Sequence, residues 1–238
     1  RIGVDFFFVL SSFLITWIIE EKYHANKNFN ALIFLVLRAL RIWPLYFLLV
    51  FIGYAAIFFQ QQVVPAHANP SISWFLLFVI NFYIISHGQN FLFFLVFLWS
   101  IAIEEQFYLA WAFIMKFAKK YYPVICFLMI IISLVYRYLH LYDSTSLYFH
   151  TLSSLGNFGI GALTAYISFH RKPLFNHLVK MSRDTILIIY MLLFICICFY
   201  NSLFSGVIAR VCDRLIFSFL FALIIFEQCF ATNSFIKW

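Results

Sequence analysis

The sequence of 238 residues has very little charge for its length. Charged residues make up 11% of it, whereas the surface of a water-soluble domain needs roughly a quarter. Hydrophobic residues reach 65%, and 34 Phe, 14 Tyr and 6 Trp are among them. They occur in runs near the length of about 20 residues that crosses a bilayer as a helix. The composition excludes a soluble globular domain and predicts an all-α, polytopic transmembrane helical bundle.

Motifs for metals and redox chemistry are also missing. The five cysteines lie in apolar segments and form no CxxC pair, so we expect them to be buried thiols. The seven histidines form neither an HxxxH nor an HExxH pattern. The sequence therefore predicts no metal site and no bound cofactor.

The net charge of +7 does not indicate a nucleic-acid partner, because Lys and Arg lie mainly between apolar runs. Residues 20–43 and 170–183 each hold four of them, whereas residues 63–72 and 201–206 hold none. The positive-inside rule places the two basic segments in the cytoplasm. The apolar runs predict seven or eight spans in one domain over residues 1–238. Residues 74–117 allow two topologies. Either they cross the membrane once and also form a re-entrant segment, or they cross it twice.

Polar residues interrupt the apolar run at the start of the chain. Asp5, Ser12 and Thr16 are separated by seven and four residues, so they share one face of a helix. An ionisable group inside a span costs about 2.5–3.5 kcal/mol and therefore indicates a protein-lined interior. Helix packing through small polar residues explains the same stripe equally well.

A second polar face lies at residues 99–108. Ser100, Glu104 and Tyr108 are four residues apart and share one helix face, while Glu105 lies about 100° round the helix. A carboxylate beside a hydrophobic cavity can act as a general acid or base. The alternative for Glu104 is one half of a structural ion pair with an arginine.

The third cluster is the pair Arg38 and Arg41, spaced three residues apart next to an apolar run. Two neighbouring guanidinium groups suit bidentate binding of phosphates. The alternative is an ordinary cytoplasmic anchor whose side chains reach the lipid headgroups.

Four motifs in sequence order resemble those of the membrane acyltransferase 3 family. Residues 3–16 read GVDFFFVLSSFLIT and resemble the family signature GVDLFFVLSGFLIT. Residues 38–46, RALRIWPLY, are similar to RRxxRIxPxY, and residues 98–109, LWSIAIEEQFYL, are similar to LWSLxVExQFYL. Residues 159–166, GIGALTAY, resemble a later glycine-containing span. The chain departs from the pattern at Ser12, where glycine is usual, and at Ser154 and Asn157, where Arg or Asp is frequent.

The resemblance implies a bacterial inner-membrane enzyme that transfers an acyl group, usually acetyl, from cytoplasmic acyl-CoA to a carbohydrate hydroxyl. Its partners are membrane lipid, the acyl-CoA donor and the carbohydrate acceptor. Arg38 and Arg41 are then expected to bind the CoA phosphates, and Glu104 to orient or help deprotonate the hydroxyl. The residues expected to line a passage to the acceptor are Asp5, Ser12, Ser100 and Tyr108.

The resemblance also implies a ten-span domain of which this chain is a part. The family has an Arg-x10-His motif on a helix before residues 3–16, and its His is the expected catalytic base. A further pair of helices is expected beyond residue 238.

Two other classes of function fit the same polar faces. A transporter or flippase of lipid-linked sugars or organic anions would use them to line a substrate path. A non-catalytic membrane partner of a polysaccharide enzyme would use them for packing alone.

Overall fold

The computed structural model describes residues 2–25, 29–60, 69–89, 91 and 93–235, and within these ranges it contains helices and no strand. Part of the segment at residues 60–73, which contains two prolines and no Lys or Arg, lies outside these ranges. The helices are α1 (Ile2–His24), α2 (Ala31–Gln60), α3 (Ile72–Leu76), α4 (Ile80–His87), α5 (Phe93–Val96), α6 (Leu98–Phe117), α7 (Tyr122–Leu139), α8 (Ser144–Phe149), α9 (Thr151–His170), α10 (Lys172–Val179), α11 (Arg183–Cys198), α12 (Tyr200–Leu203) and α13 (Val207–Phe230).

Four helical stretches in the described residues are long and apolar enough to cross a membrane, which confirms a helical membrane protein. They are Ile2–His24, Ala31–Phe58, Phe94–Phe117 and Lys119–Leu139. A fifth span results if α10 and α11, which are bent by 88° at their junction, cross together. The predicted seven or eight spans exceed this number.

The helix α2 is longer than the sequence suggests. Pro44 is expected to end or kink a helix, yet α2 continues through it from Ala31 to Gln60. The side chain of Asn30 accepts hydrogen bonds from the backbone N–H groups of Leu32 and Ile33, which fixes the first turn. Arg38 and the residues around Pro44 therefore belong to one helix.

Residues 72–89 do not form a spanning helix. Two short helices, α3 and α4, are separated at Phe78, whose φ of 54° lies in the left-handed region that non-glycine residues seldom adopt. With five and eight residues, neither helix has the length of about 20 needed to cross the bilayer. Among the described residues of the range 72–117, only Phe94–Phe117 is a candidate span.

The chain folds into two compact units. In the first unit α1 packs against α13, which also contacts α7, α10 and α11. Its apolar core includes Val9, Phe13 and Phe217. Gly161 of α9 lies against α1 so closely that a Cβ atom there would collide with Ser12 Oγ and the Val9 carbonyl. Small residues permit this close contact between membrane helices.

The second unit consists of α2–α6 and the segment around α8. Within it α6 packs against α2, α4 and α5. Aromatic rings fill the contact between α2 and the break at Phe78, where the Tyr46 ring lies 4.7 Å from the Phe78 ring. This packing fixes α2 and α6 side by side around a cavity.

Candidate functional site

A cavity of about 740 Å³ lies within the second unit, between α2, α6 and the break between α3 and α4. The α2 residues that line it follow helical spacing along one face, and they include Val36, Leu40, Trp43 and Phe47. Leu109 adds to the apolar wall from α6. Mostly apolar walls with a few polar groups are typical of sites that bind small molecules.

Glu105 is the acidic residue in the wall of the cavity. Its Oε2 atom accepts a hydrogen bond of 3.2 Å from Trp43 Nε1 on α2. Its Oε1 atom accepts no hydrogen bond from any residue that the structure describes. Arg38 lies close enough to interact electrostatically with the Glu105 carboxylate. The cavity therefore has a carboxylate on one wall and a guanidinium group nearby.

Gln106 holds the other side of the cavity in place. Its Nε2 atom donates hydrogen bonds to the Phe78 carbonyl at 2.7 Å and to Asn81 Oδ1 at 3.1 Å. Its Oε1 atom accepts a hydrogen bond of 2.6 Å from the Thr151 hydroxyl. These bonds attach the unusual backbone at Phe78 to α6. Backbone strain of this kind costs on the order of 1–3 kcal/mol and occurs most often at functional sites.

Glu104, Tyr108 and Arg38 form a chain of contacts beside the cavity. The Tyr108 hydroxyl donates a 2.9 Å hydrogen bond to Glu104 Oε2, and Glu104 is only 3% exposed. The Arg38 guanidinium lies 5.3 Å from the centre of the Tyr108 ring, a cation–π distance. Arg38 is half-buried, whereas Arg41 is exposed. The structure thus brings three of the predicted site residues together in the second unit.

Ser100 and Ser12 use their hydroxyl groups locally. Ser100 Oγ donates to the Phe97 carbonyl at 3.1 Å, and Ser12 Oγ donates to the Val9 carbonyl at 3.0 Å. Ser12 and Asp5 belong to the first unit, and Ser100 belongs to the second.

Asp5 belongs to a buried polar network in the first unit. One carboxylate oxygen accepts a 2.6 Å hydrogen bond from Asn157 and forms a 3.3 Å ion pair with Arg214 Nε. Arg214 also donates to the Ser154 hydroxyl at 2.9 Å. Ser154 and Asn157, the two positions that depart from the family pattern, are therefore partners of charged residues from other helices.

A second ion pair extends this network. Arg137 of α7 is fully buried and forms a 2.5 Å ion pair with Asp213 of α13. It also donates to the Ser153 hydroxyl and to the Val211 carbonyl. Asp213 accepts a further 2.6 Å hydrogen bond from the Tyr200 hydroxyl. The two arginines and two aspartates of the network balance in charge.

Sequence reasoning missed two of these features. In the sequence, Arg137 lies near the end of an apolar run, where an interfacial position explains a basic residue, yet it is buried inside the first unit. Glu105 follows Glu104 directly, and the helix period shows only that the two diverge. Ionisable residues within α7 and α13 were the available signal for the network.

Several bacterial proteins match this chain. Peptidoglycan O-acetyltransferase OatA of Listeria monocytogenes is 36% identical over 128 residues, which are 50% of this chain and 20% of that protein. Putative peptidoglycan O-acetyltransferase YrhL of Bacillus subtilis is 35% identical over 119 residues, which are 46% of this chain and 18% of that protein. O-acetyltransferase OatA of Staphylococcus aureus is 30% identical over 183 residues, which are 70% of this chain and 30% of that protein.

The chain spans less than a third of the length of these relatives. No family model and no solved structure matches it. The similarity to three proteins named as O-acetyltransferases agrees with the order of the four sequence motifs. This similarity supports the resemblance of the chain to the membrane acyltransferase 3 family.

Proposed function

We propose that this chain is the membrane part of an enzyme that transfers an acetyl group to a hydroxyl of a cell-surface or lipid-linked carbohydrate. The observation that supports this most is the cavity in the second unit, with Glu105 in its wall and Arg38 beside it. The relatives named peptidoglycan O-acetyltransferase suggest a cell-wall glycan as the acceptor class.

Acyl-CoA is the donor in this proposal. Arg38 and Arg41 bind its phosphates as guanidinium groups that can each make two parallel hydrogen bonds. The contact with the Tyr108 ring restricts Arg38, so less side-chain freedom is lost when a phosphate binds. The apolar walls of the cavity accommodate the acyl end of the donor.

The reaction joins the acceptor oxygen to the acetyl carbon while the carbon–sulfur bond of the thioester breaks. The hydroxyl proton passes to a base, and CoA leaves as the thiolate. In the family that the chain resembles, a His is the main base. A carboxylate near the acceptor orients its hydroxyl and assists proton transfer.

Two carboxylates compete for that role. The polar helix face in the sequence predicts this role for Glu104, whose carboxylate is buried against Tyr108. The geometry favours Glu105, because Glu105 lines the cavity itself. In this arrangement Glu104 is a positioning residue, since it holds Tyr108 and, through the Tyr108 ring, Arg38.

The test is acetyl transfer from labelled acetyl-CoA to a glycan acceptor by the complete protein. We expect Glu105→Gln to lower the rate constant at least tenfold, because acid–base groups contribute roughly 10²–10⁴-fold. Glu104→Gln retains an oxygen for the Tyr108 hydroxyl and should mainly raise KM for the donor. The exposed Glu21→Gln serves as the matched control. If Glu104→Gln lowers the rate constant strongly and Glu105→Gln does not, Glu104 is the acid–base residue.

The proposed enzyme crosses the bacterial inner membrane seven times within the single domain formed by this chain. In addition to the five candidates, α9 and α13 have 20 and 24 residues, enough to cross the bilayer. Their polar residues, such as Asn157 and Asp213, are buried in the first unit instead of facing lipid. With a single crossing at 94–117, all the basic segments fall on one side, as the positive-inside rule requires.

Transport of a lipid-linked sugar or organic anion is the second candidate function. The buried ion pairs Asp5–Arg214 and Arg137–Asp213 favour it, because ionisable groups inside a membrane protein often lie on substrate paths. Acetyl transfer by the purified complete protein would show that the protein is an enzyme and not only a transporter. Absence of transfer, together with substrate uptake into proteoliposomes, decides for transport.

A further inference from the structure

Two histidines and a glutamate meet at one end of the first unit. Glu20 and His24 are one turn apart near the end of α1, and His170 is the last residue of α9. His170 Nε2 lies 3.3 Å from Glu20 Oε1, and one ligand atom from each residue lies within 4.8 Å of the others. No local histidine spacing indicates this group, because it forms only when α1 and α9 fold together.

Aromatic neighbours hold the three side chains in place. The His24 ring stacks on Phe169 at 5.0 Å, and the His170 ring stacks on Tyr166 at 4.9 Å. Glu20 is completely buried, and its carboxylate lies beside Tyr122. Rings and carboxylates that are fixed in this way lose little freedom when they bind an ion.

The ligand set and the spacing fit a transition metal of the zinc class. Two imidazole nitrogens and one carboxylate oxygen are a set that Zn²⁺ accepts, with a fourth position left for water or another ligand. Bonds of about 2.0–2.1 Å in tetrahedral geometry place neighbouring ligand atoms about 3.3 Å apart. The Glu20–His170 distance already has this value. The ligand atoms of the three residues lie within 4.8 Å of one another, so metal binding requires the exposed His24 to move closer to the other two.

We propose that Glu20, His24 and His170 form a binding site for a divalent transition metal of the zinc class. The ion joins the ends of α1 and α9 and keeps one coordination position open. The site is independent of the acyl-transfer proposal, since it uses no residue of the cavity.

The test is metal binding by the complete protein, purified in detergent and stripped with a chelator. We expect one Zn²⁺ per chain by calorimetry and a tetrahedral Co²⁺ absorption band in the visible range. His24→Ala and His170→Ala should each weaken Zn²⁺ binding at least tenfold, and Zn²⁺ should raise the unfolding temperature of the wild type but not of these two variants.

His177→Ala is the matched control, because His177 is an exposed histidine on α10, outside the group. His24 is also exposed, so His24→Ala tests the site with little risk to folding. The proposal is overturned if the wild type binds no Zn²⁺, or if His24→Ala and His170→Ala bind it as the wild type does. Equal loss in His177→Ala also overturns it.

Discussion

The two units of this protein differ in how completely their charged side chains are paired. In the first unit, Arg137 and Asp213 pair directly, and Arg214 pairs with Asp5. In the second unit, Glu105 lines an apolar cavity, and only one of its carboxylate oxygens accepts a hydrogen bond from a described residue. The first arrangement uses charge to hold helices together, whereas the second leaves charged groups within reach of a ligand.

This difference has an energetic reason. A buried charge is tolerated when an opposite charge and hydrogen bonds compensate for its loss of hydration. Removing one partner leaves the other charge buried without this compensation, which destabilises the fold. A ligand site instead requires polar groups whose bonding is completed only by the ligand. Substitutions in the first unit should therefore affect stability, and substitutions around the cavity should affect binding.

The largest effect is expected for Asp213→Ala in the first unit. This change leaves Arg137 buried without its carboxylate and should lower the free energy of unfolding by about 3–5 kcal/mol. Unfolding of the purified protein in detergent, followed by circular dichroism, measures the loss. The exposed Asp184→Ala is the control. A loss no greater than that of the control would mean that the buried pair does not hold α7 and α13 together.

Arg38→Ala should have the next largest effect, on binding in the second unit. A hydrogen bond to a charged group contributes about 1.5–3 kcal/mol, so acyl-CoA affinity should fall about ten- to a hundredfold. Calorimetry with a non-reactive acyl-CoA analogue measures this, and stability should change little. The exposed Arg210→Ala is the matched control. Unchanged affinity in Arg38→Ala would remove this residue from the donor site.

The smallest effect is expected for Gly161→Ala, which tests close packing in the first unit. The new methyl group collides with Ser12 Oγ, and overpacking costs about 1–3 kcal/mol. A gain in helix stability of about 0.5–1 kcal/mol offsets part of this cost. Gly3→Ala has open space and should not lower the unfolding temperature. Equal behaviour of the two variants would show that α1 and α9 adjust freely.

Much of the helical architecture follows from the sequence. The apolar runs at residues 122–139 and 207–230 coincide with α7 and α13, because long apolar runs favour membrane helices even when a few charged residues interrupt them. The single helix α2 joins the residues on both sides of Pro44, since a helix within a membrane can continue through proline when its neighbours compensate for the lost hydrogen bond.

The candidate site was less predictable than the helices. The spacing of Ser100, Glu104 and Tyr108 places them on one face, but only the position of α2 decides that Glu105 lines the cavity. Likewise, His24 and His170 come from helices far apart in the sequence. Such groups depend on tertiary packing, which local periodicity does not encode.

The charged residues of α13 have a consequence for the biogenesis of the protein. Asp213, Arg214 and Glu227 would each add about 2.5–3.5 kcal/mol to the insertion of this helix if it entered lipid alone near the bilayer centre. Asp5 and Arg137, which neutralise two of them, lie on helices that are synthesised earlier. Insertion of α13 is therefore coupled to assembly, because the helices already in the membrane supply the partners that it needs.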